Sequence, residues 1–133
     1  MARGYDNHKS RVDLISSFGR ELTRRSGSSC ELCGASGVGL TVFEVPPSME
    51  EPSADDCVFI CGECREQLDN PKKFRTTHWR CLTDRVWSEV QAVKLLSLMI
   101  LKKVSVSESW ASEVIEEVFL TDEESERVEK SGL

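Results

Sequence analysis

Cys30-Glu31-Leu32-Cys33-Gly34 and Cys61-Gly62-Glu63-Cys64 decide the fold of this chain. Each carries two cysteines with a two-residue spacer, which lets both thiolates face one ion across a tight turn. Gly34 follows the first pair, where such a knuckle commonly needs positive φ. Together the pairs offer Cys30, Cys33, Cys61 and Cys64, the closed tetrahedral shell of one structural Zn²⁺. Soft thiolates also suit iron, so the donor set defines the site more narrowly than the metal. A lone CxxC would read equally as a redox dithiol; two pairs bracketing two strands favour the ion. A closed shell has no open coordination position, so its contribution is to folding rather than to hydrolysis.

Between the pairs, Gly39-Leu-Thr-Val-Phe-Glu-Val45 reads as a strand closed by Pro46-Pro47, and Cys57-Val-Phe-Ile-Cys61 as its partner. The connecting PPSMEEPSADD has three prolines and four acids, so it reads as a surface loop. Good helix formers, Arg65-Glu66-Gln67-Leu68, follow the second pair until Asn70-Pro71 stops them. A knuckle, a hairpin and a second pair opening a helix is the treble-clef plan, favoured here over a plain zinc ribbon.

Outward from this core, residues 7–25 predict a helix with Leu14, Phe18 and Leu22 on one stripe and Ile15 beside it. It ends at Ser26-Gly27-Ser28-Ser29. C-terminal to the core, a segment from Thr83 or Asp84 through Trp87, Val90 and Val93 to Leu101 reads as a helix, with Lys102-Lys103 suiting its C-terminal dipole. Ser105–Glu108 and Thr121–Glu124 both have the spacing of a capping box, opening two more helices. Trp87, Trp110, Val90 and Val93 read as helix–helix core. The expected class is a small α+β protein, one domain over residues 1–133. It divides into an N-terminal helix (1–29), a zinc-binding core (30–85) and a C-terminal helical segment with an acidic tail (86–133).

Composition narrows the function classes. With 39% hydrophobic and 30% charged residues, the chain can bury only a thin core, and a metal staple would supply what the core lacks. No apolar run approaches a membrane span, since Ser97 interrupts the longest, residues 95–101. The polar start MARGYDNHKSR shows no secretory signal, which predicts a cytoplasmic, reducing setting where cysteines bind metal more often than they pair. The net charge of −6 is uneven: residues 1–103 hold 15 Lys+Arg and 14 Asp+Glu, whereas 104–133 hold 2 and 9. That acidic tail argues against a uniformly basic nucleic-acid binder and reads as a solvated helical face. Four thiolates with one Zn²⁺ would add −2, giving −8.

Two resemblances attach to these motifs. The approach to Cys30, the Val42-Phe43-Glu44-Val45-Pro46 strand and Cys61-Gly-Glu-Cys64-Arg65 resemble an HNH nuclease scaffold. That family's histidines lie where this chain has Phe43, Glu44 and Arg65, and its only histidines are His8 and His78. Without imidazole ligands or a base, water activation has no agent. SerGlySerSerCysGluLeuCysGlyAla, GluValProPro, ProSerAlaAspAspCys, HisTrpArgCysLeu and TrpSerGluVal resemble the N-terminal region of PhnA-type proteins, over roughly residues 14–121. That resemblance implies a bacterial cytoplasmic zinc-binding module, named for phosphonate-utilisation operons, without the β-rich second domain of longer members.

Two further residue groups carry chemistry. Residues 71–85 hold five cations and one acid among Phe74, His78 and Trp79. Lys72, Lys73, Arg75, Trp79 and Arg80 would suit a phosphonate, another oxyanion or a nucleic acid; otherwise Trp79 and Leu82 pack on the knuckle and the cations stay solvated. His78-Trp-Arg-Cys81 has ligand spacing, and with the spare Cys57 it forms a candidate second metal set; alternatively the spare cysteines are small buried hydrophobes. Cys81 as a nucleophile lacks an identifiable orienting group. The leading expectation is a non-catalytic zinc-binding or adaptor module with a protein or nucleic-acid partner and no membrane. A nucleic-acid binder and a phosphonate-cleaving or nucleolytic enzyme are the alternatives.

Overall fold

The computed structural model describes residues 11–133. Among them it is α+β: a two-stranded antiparallel hairpin, a helical stretch over residues 11–17 and six further α-helices. The strand β1 spans Leu40–Glu44 and β2 spans Cys57–Cys61, in a register that pairs Leu40 with Cys61 and Glu44 with Cys57. All five residues of β2 are buried, as its uninterrupted apolar sequence requires. Val58 and Ile60 face the main core, whereas Cys57 and Phe59 pack on Leu22 in a second cluster. The Pro/acid-rich connection between the strands holds one 3₁₀ turn, Ala54–Asp56, whose N-cap Ser53 accepts from the Asp55 amide.

The N-terminal helix is interrupted. Residues 11–17 are helical, a turn falls at Phe18, and α1 runs over Gly19–Ser26; residues 7–10 of the expected helix lie outside the described residues. Gly19, a weak helix former, stands at the break. The apolar stripe is buried only toward its end: Leu22 is fully buried and Ile15 and Phe18 pack around it, but Leu14 is 45% exposed. Gly27 then caps α1 in the left-handed region, φ 65°, donating its amide to the Thr23 carbonyl.

Helix α2, Gly62–Asp69, opens between the cysteines of the second pair. The basic aromatic stretch folds as two 3₁₀ segments, Pro71–Lys73 and Thr76–Cys81, followed by the one-turn helix α3, Leu82–Arg85. The expected long helix from Thr83 or Asp84 is broken here. Ser88 Oγ accepts from the Val90 amide, and α4 begins only at Gln91, running to Val104. Trp87 falls in the break and is 57% exposed, so it is not the core residue its spacing suggested.

Helix α4 is the centre of the main core. Every residue from Leu95 to Leu101 is buried, Ser97 included, as expected of a helix apolar on all sides. Contacts from β2, α3, the 3₁₀ turns Ala54–Asp56 and Thr76–Cys81, α5 (Ser109–Glu117) and α6 (Asp122–Glu129) cover it. The two capping-box spacings divide. Thr121 and Glu124 form a reciprocal box on α6. Ser105 instead ends α4, its hydroxyl donating to the Lys102 carbonyl, and Glu108 is the N-cap residue of α5. No helix among the described residues is long and apolar enough to cross a membrane.

Candidate metal centre

The first cysteine pair sits on a turn closed by backbone bonds. The Cys30 amide donates to the Ala35 carbonyl and the Gly34 amide to the Cys30 carbonyl, both at 2.9 Å. The Cys33 amide points at Cys30 Sγ, 3.4 Å away. Gly34 has φ 81°, and a Cβ there would lie 3.1 Å from the Arg85 guanidinium. The positive φ is what calls for glycine here, and its missing side chain also leaves room for the Arg85 guanidinium.

Glu31, between the two cysteines, anchors this turn to the strand and to α1. Its amide donates to the Phe59 carbonyl and its carboxylate accepts from the Phe59 amide, each at 2.8 Å. Arg25 grips the same carboxylate through two nitrogens, at 2.9 and 2.6 Å, and also donates to the Cys57 carbonyl. Sequence reading missed this pair, because one acid and one arginine six residues apart carry no distinguishing pattern.

The second pair is placed by the strand-to-helix junction. Cys61 ends β2 and is the N-cap residue of α2, while Cys64 lies in the first helical turn. That end of a helix favours negative charge, which suits a thiolate.

The four sulfurs converge. Cys30 Sγ and Cys64 Sγ are 3.7 Å apart, Cys33 Sγ and Cys61 Sγ 3.6 Å, and all four lie within 4.8 Å of one another. These are not disulfides; all six cysteines are free. Ion–sulfur bonds of about 2.3 Å make tetrahedral edges of about 3.8 Å, so the observed spacing fits one tetrahedrally coordinated ion. Cys30, Cys61 and Cys64 are buried, and Cys33 is partly exposed beside a cavity of about 390 Å³ lined also by Cys81, Arg85 and Trp87.

Electrostatics point the same way. Without an ion, the hydrogen bond from Cys64 pulls the Cys30 thiol down to about 4 and pushes Cys64 itself upward. Burial raises Cys33 to about 12. One thiolate is therefore tolerated, while Cys33 and Cys64 keep their protons. Four thiolates this close require a cation among them. The four expected ligands are thus together, near enough to bind a metal ion.

The proposed second set, Cys57, His78 and Cys81, is not brought together. Cys57 is buried with Leu22 and Phe59, at the Glu44 end of the hairpin and away from the cluster, where burial raises its thiol to about 11. Cys81 Sγ donates to the His78 carbonyl at 3.3 Å. His78 turns toward the first site instead, with Nε2 3.3 Å from Cys64 Sγ. Among the described residues, the four cysteines are the group of three or more ligating side chains close enough to share an ion.

The basic segment is largely engaged within the fold. Lys73 pairs with Glu66 and Arg75 with Glu63, both acids of α2. Arg80 lies over the Trp110 ring, 4.7 Å from its centroid. Trp79 is fully buried, stacked on Phe74 and touched edge-on by His78. It presents no open face to a base, contrary to its proposed stacking role. Lys72 is exposed at the edge of the same surface.

No protein-family model, no curated protein and no solved structure matches this chain.

Proposed function

We propose that this chain is a structural-zinc module on the treble-clef plan. In this reading it holds one Zn²⁺ through Cys30, Cys33, Cys61 and Cys64 and serves as a non-catalytic binding or adaptor unit. The observation that carries the reading is the four-sulfur cluster, with opposite edges of 3.7 and 3.6 Å. The ion would join the knuckle, the end of β2 and the start of α2, adding to the Glu31–Phe59 bonds that already tie the knuckle to the strand. With four thiolate ligands the ion keeps no position for water or substrate, so its chemistry there is to neutralise and cross-link.

The arrangement supports an adaptor more than a nuclease or a nucleic-acid binder. His78 hydrogen-bonds a ligand sulfur, and of the five residues proposed for nucleic acid, Trp79 is buried while Lys73, Arg75 and Arg80 already have partners. A PhnA-type relationship, with the bacterial cytoplasmic setting and the tie to phosphonates that it implies, is supported by the SerGlySerSerCysGluLeuCysGlyAla, GluValProPro, ProSerAlaAspAspCys, HisTrpArgCysLeu and TrpSerGluVal motifs.

The test is metal analysis of protein purified without added metal, combined with Co²⁺ substitution. One equivalent of zinc per chain and a tetrahedral four-sulfur Co²⁺ spectrum support the reading. A metal-free, folded protein or a second, open-shell ion overturns it.

A further inference from the structure

His78 stands outside the four-sulfur shell yet touches it. Its Nε2 lies 3.3 Å from Cys64 Sγ, and its ring meets Trp79 edge-on, centroids 4.7 Å apart and planes at 84°. Trp79 is fully buried and rests on Phe74, so the edge-on contact seats the partly buried imidazole against a fixed ring. The backbone carbonyl of His78 accepts from Cys81 Sγ in the same turn.

A metal-bound thiolate has lone pairs and no proton. A bare Nε2 lone pair facing it would be repelled, so Nε2 must carry the hydrogen and donate it to sulfur. We propose that His78 is a positioning residue of the metal centre, donating Nε2–H to the Cys64 thiolate and so holding that ligand and slowing loss of the ion. The proposal rests on the zinc reading above and deepens it. It also makes the centre lopsided. Cys64 is buried and hydrogen-bonded by the imidazole, Cys30 is buried and faced by the Cys33 amide, and Cys33 alone of the four is partly open to solvent. Donation to sulfur withdraws charge from it, so the ligand left most reactive toward thiol reagents is Cys33.

Three measurements test this. In the zinc-loaded protein, a long-range ¹H–¹⁵N spectrum of His78 reads the tautomer directly and needs no variant; Nε2–H is expected. Transfer of zinc to a chromophoric chelator is expected to speed up by about 10-fold in His78→Ala, the lower end of what outer-shell partners of metal ligands contribute. His78→Gln, whose amide NH₂ can reach the same sulfur, should recover most of that loss. Mapping of N-ethylmaleimide adducts should show Cys33 as the first ligand modified in the unaltered protein, and a selective rise at Cys64 in His78→Ala. A purely packing role for His78 would not single out Cys64. An unprotonated Nε2, a three-sulfur, one-nitrogen Co²⁺ spectrum, or unchanged zinc transfer in His78→Ala overturns the proposal while leaving a metal site in place. Failure of the unaltered protein to give any four-sulfur Co²⁺ spectrum overturns the zinc reading itself.

Discussion

The four-cysteine region, residues 30–81, and the C-terminal helices, residues 91–129, reach order by different means. The first has a two-stranded hairpin, an eight-residue helix and three short 3₁₀ segments. A hairpin of that size is marginal alone in water, so four converging sulfurs and polar ties such as Arg25–Glu31 replace bulk. The second region has an apolar helix, α4, buried along Leu95–Leu101 and covered by α5 and α6. There the surface removed from water is the main source of stability. One region depends on a few strong, directional bonds, the other on many weak ones. They meet where β2 and the Thr76–Cys81 segment pack on α4.

Removing the metal separates the two most sharply. Chelation, or Cys64→Ser, should release the hairpin and knuckle and make residues 30–81 exchange amide hydrogens freely, because the free energy of a structural zinc, about 10 kcal/mol or more, is folding free energy. Helical circular dichroism from α4–α6 should survive in larger part. Equal loss of protection in both regions would show one cooperative unit. Acid should do the same by proton competition. Cys33 and Cys64 are raised in the metal-free protein, so each holds a proton at neutral pH that the ion must expel. At least two protons are released, so zinc affinity should fall by about 100-fold or more for each unit that pH drops, and rise correspondingly as pH climbs. A competition titration at several pH values measures that slope.

The next effect belongs to the helices. Leu98→Ala removes a side chain that is 1% exposed and should cost about 3 kcal/mol in urea unfolding. Zinc stoichiometry should not change. A loss of bound zinc in this variant would tie the regions more closely than their contacts suggest. Glu31→Gln leaves Arg25 unmatched against a buried partner and should cost about 3 kcal/mol or slightly less, since Arg25 retains solvent access. Its damage should appear first as faster zinc transfer, the opposite pattern to Leu98→Ala. Smallest is Thr121→Ala, which takes one side chain from the capping box of α6 and should cost about 1 kcal/mol with no effect at the metal.

What was legible beforehand was local. The two cysteine pairs, the continuous apolar run of β2, Gly27 after the first helix and the Thr121–Glu124 box all work through neighbours a few residues apart. Ser105–Glu108 has the same spacing as that box and failed, because α4 continues through Val104 and claims Ser105 for its own end. Spacing alone does not say which helix a serine belongs to. Trp87 was misplaced for a related reason: its periodicity with Val90 and Val93 exists only if the helix is unbroken, and the Ser88–Val90 bond marks the break.

The basic segment shows the remaining gap. Five cations among aromatics look like a surface for anions, but α2 brings Glu63 and Glu66 back against Arg75 and Lys73, and the core takes Trp79. His78, grouped by spacing with Cys81 and Cys57, found Cys64 instead. The sequence by itself determined that four cysteines in two pairs would come together as one candidate donor set, because spacing constrains thiols across a tight turn. Only the tertiary structure decided which charges cancel, which aromatic rings are buried and which imidazole leans on which sulfur. Those outcomes depend on how distant elements dock, and nothing in local spacing encodes that.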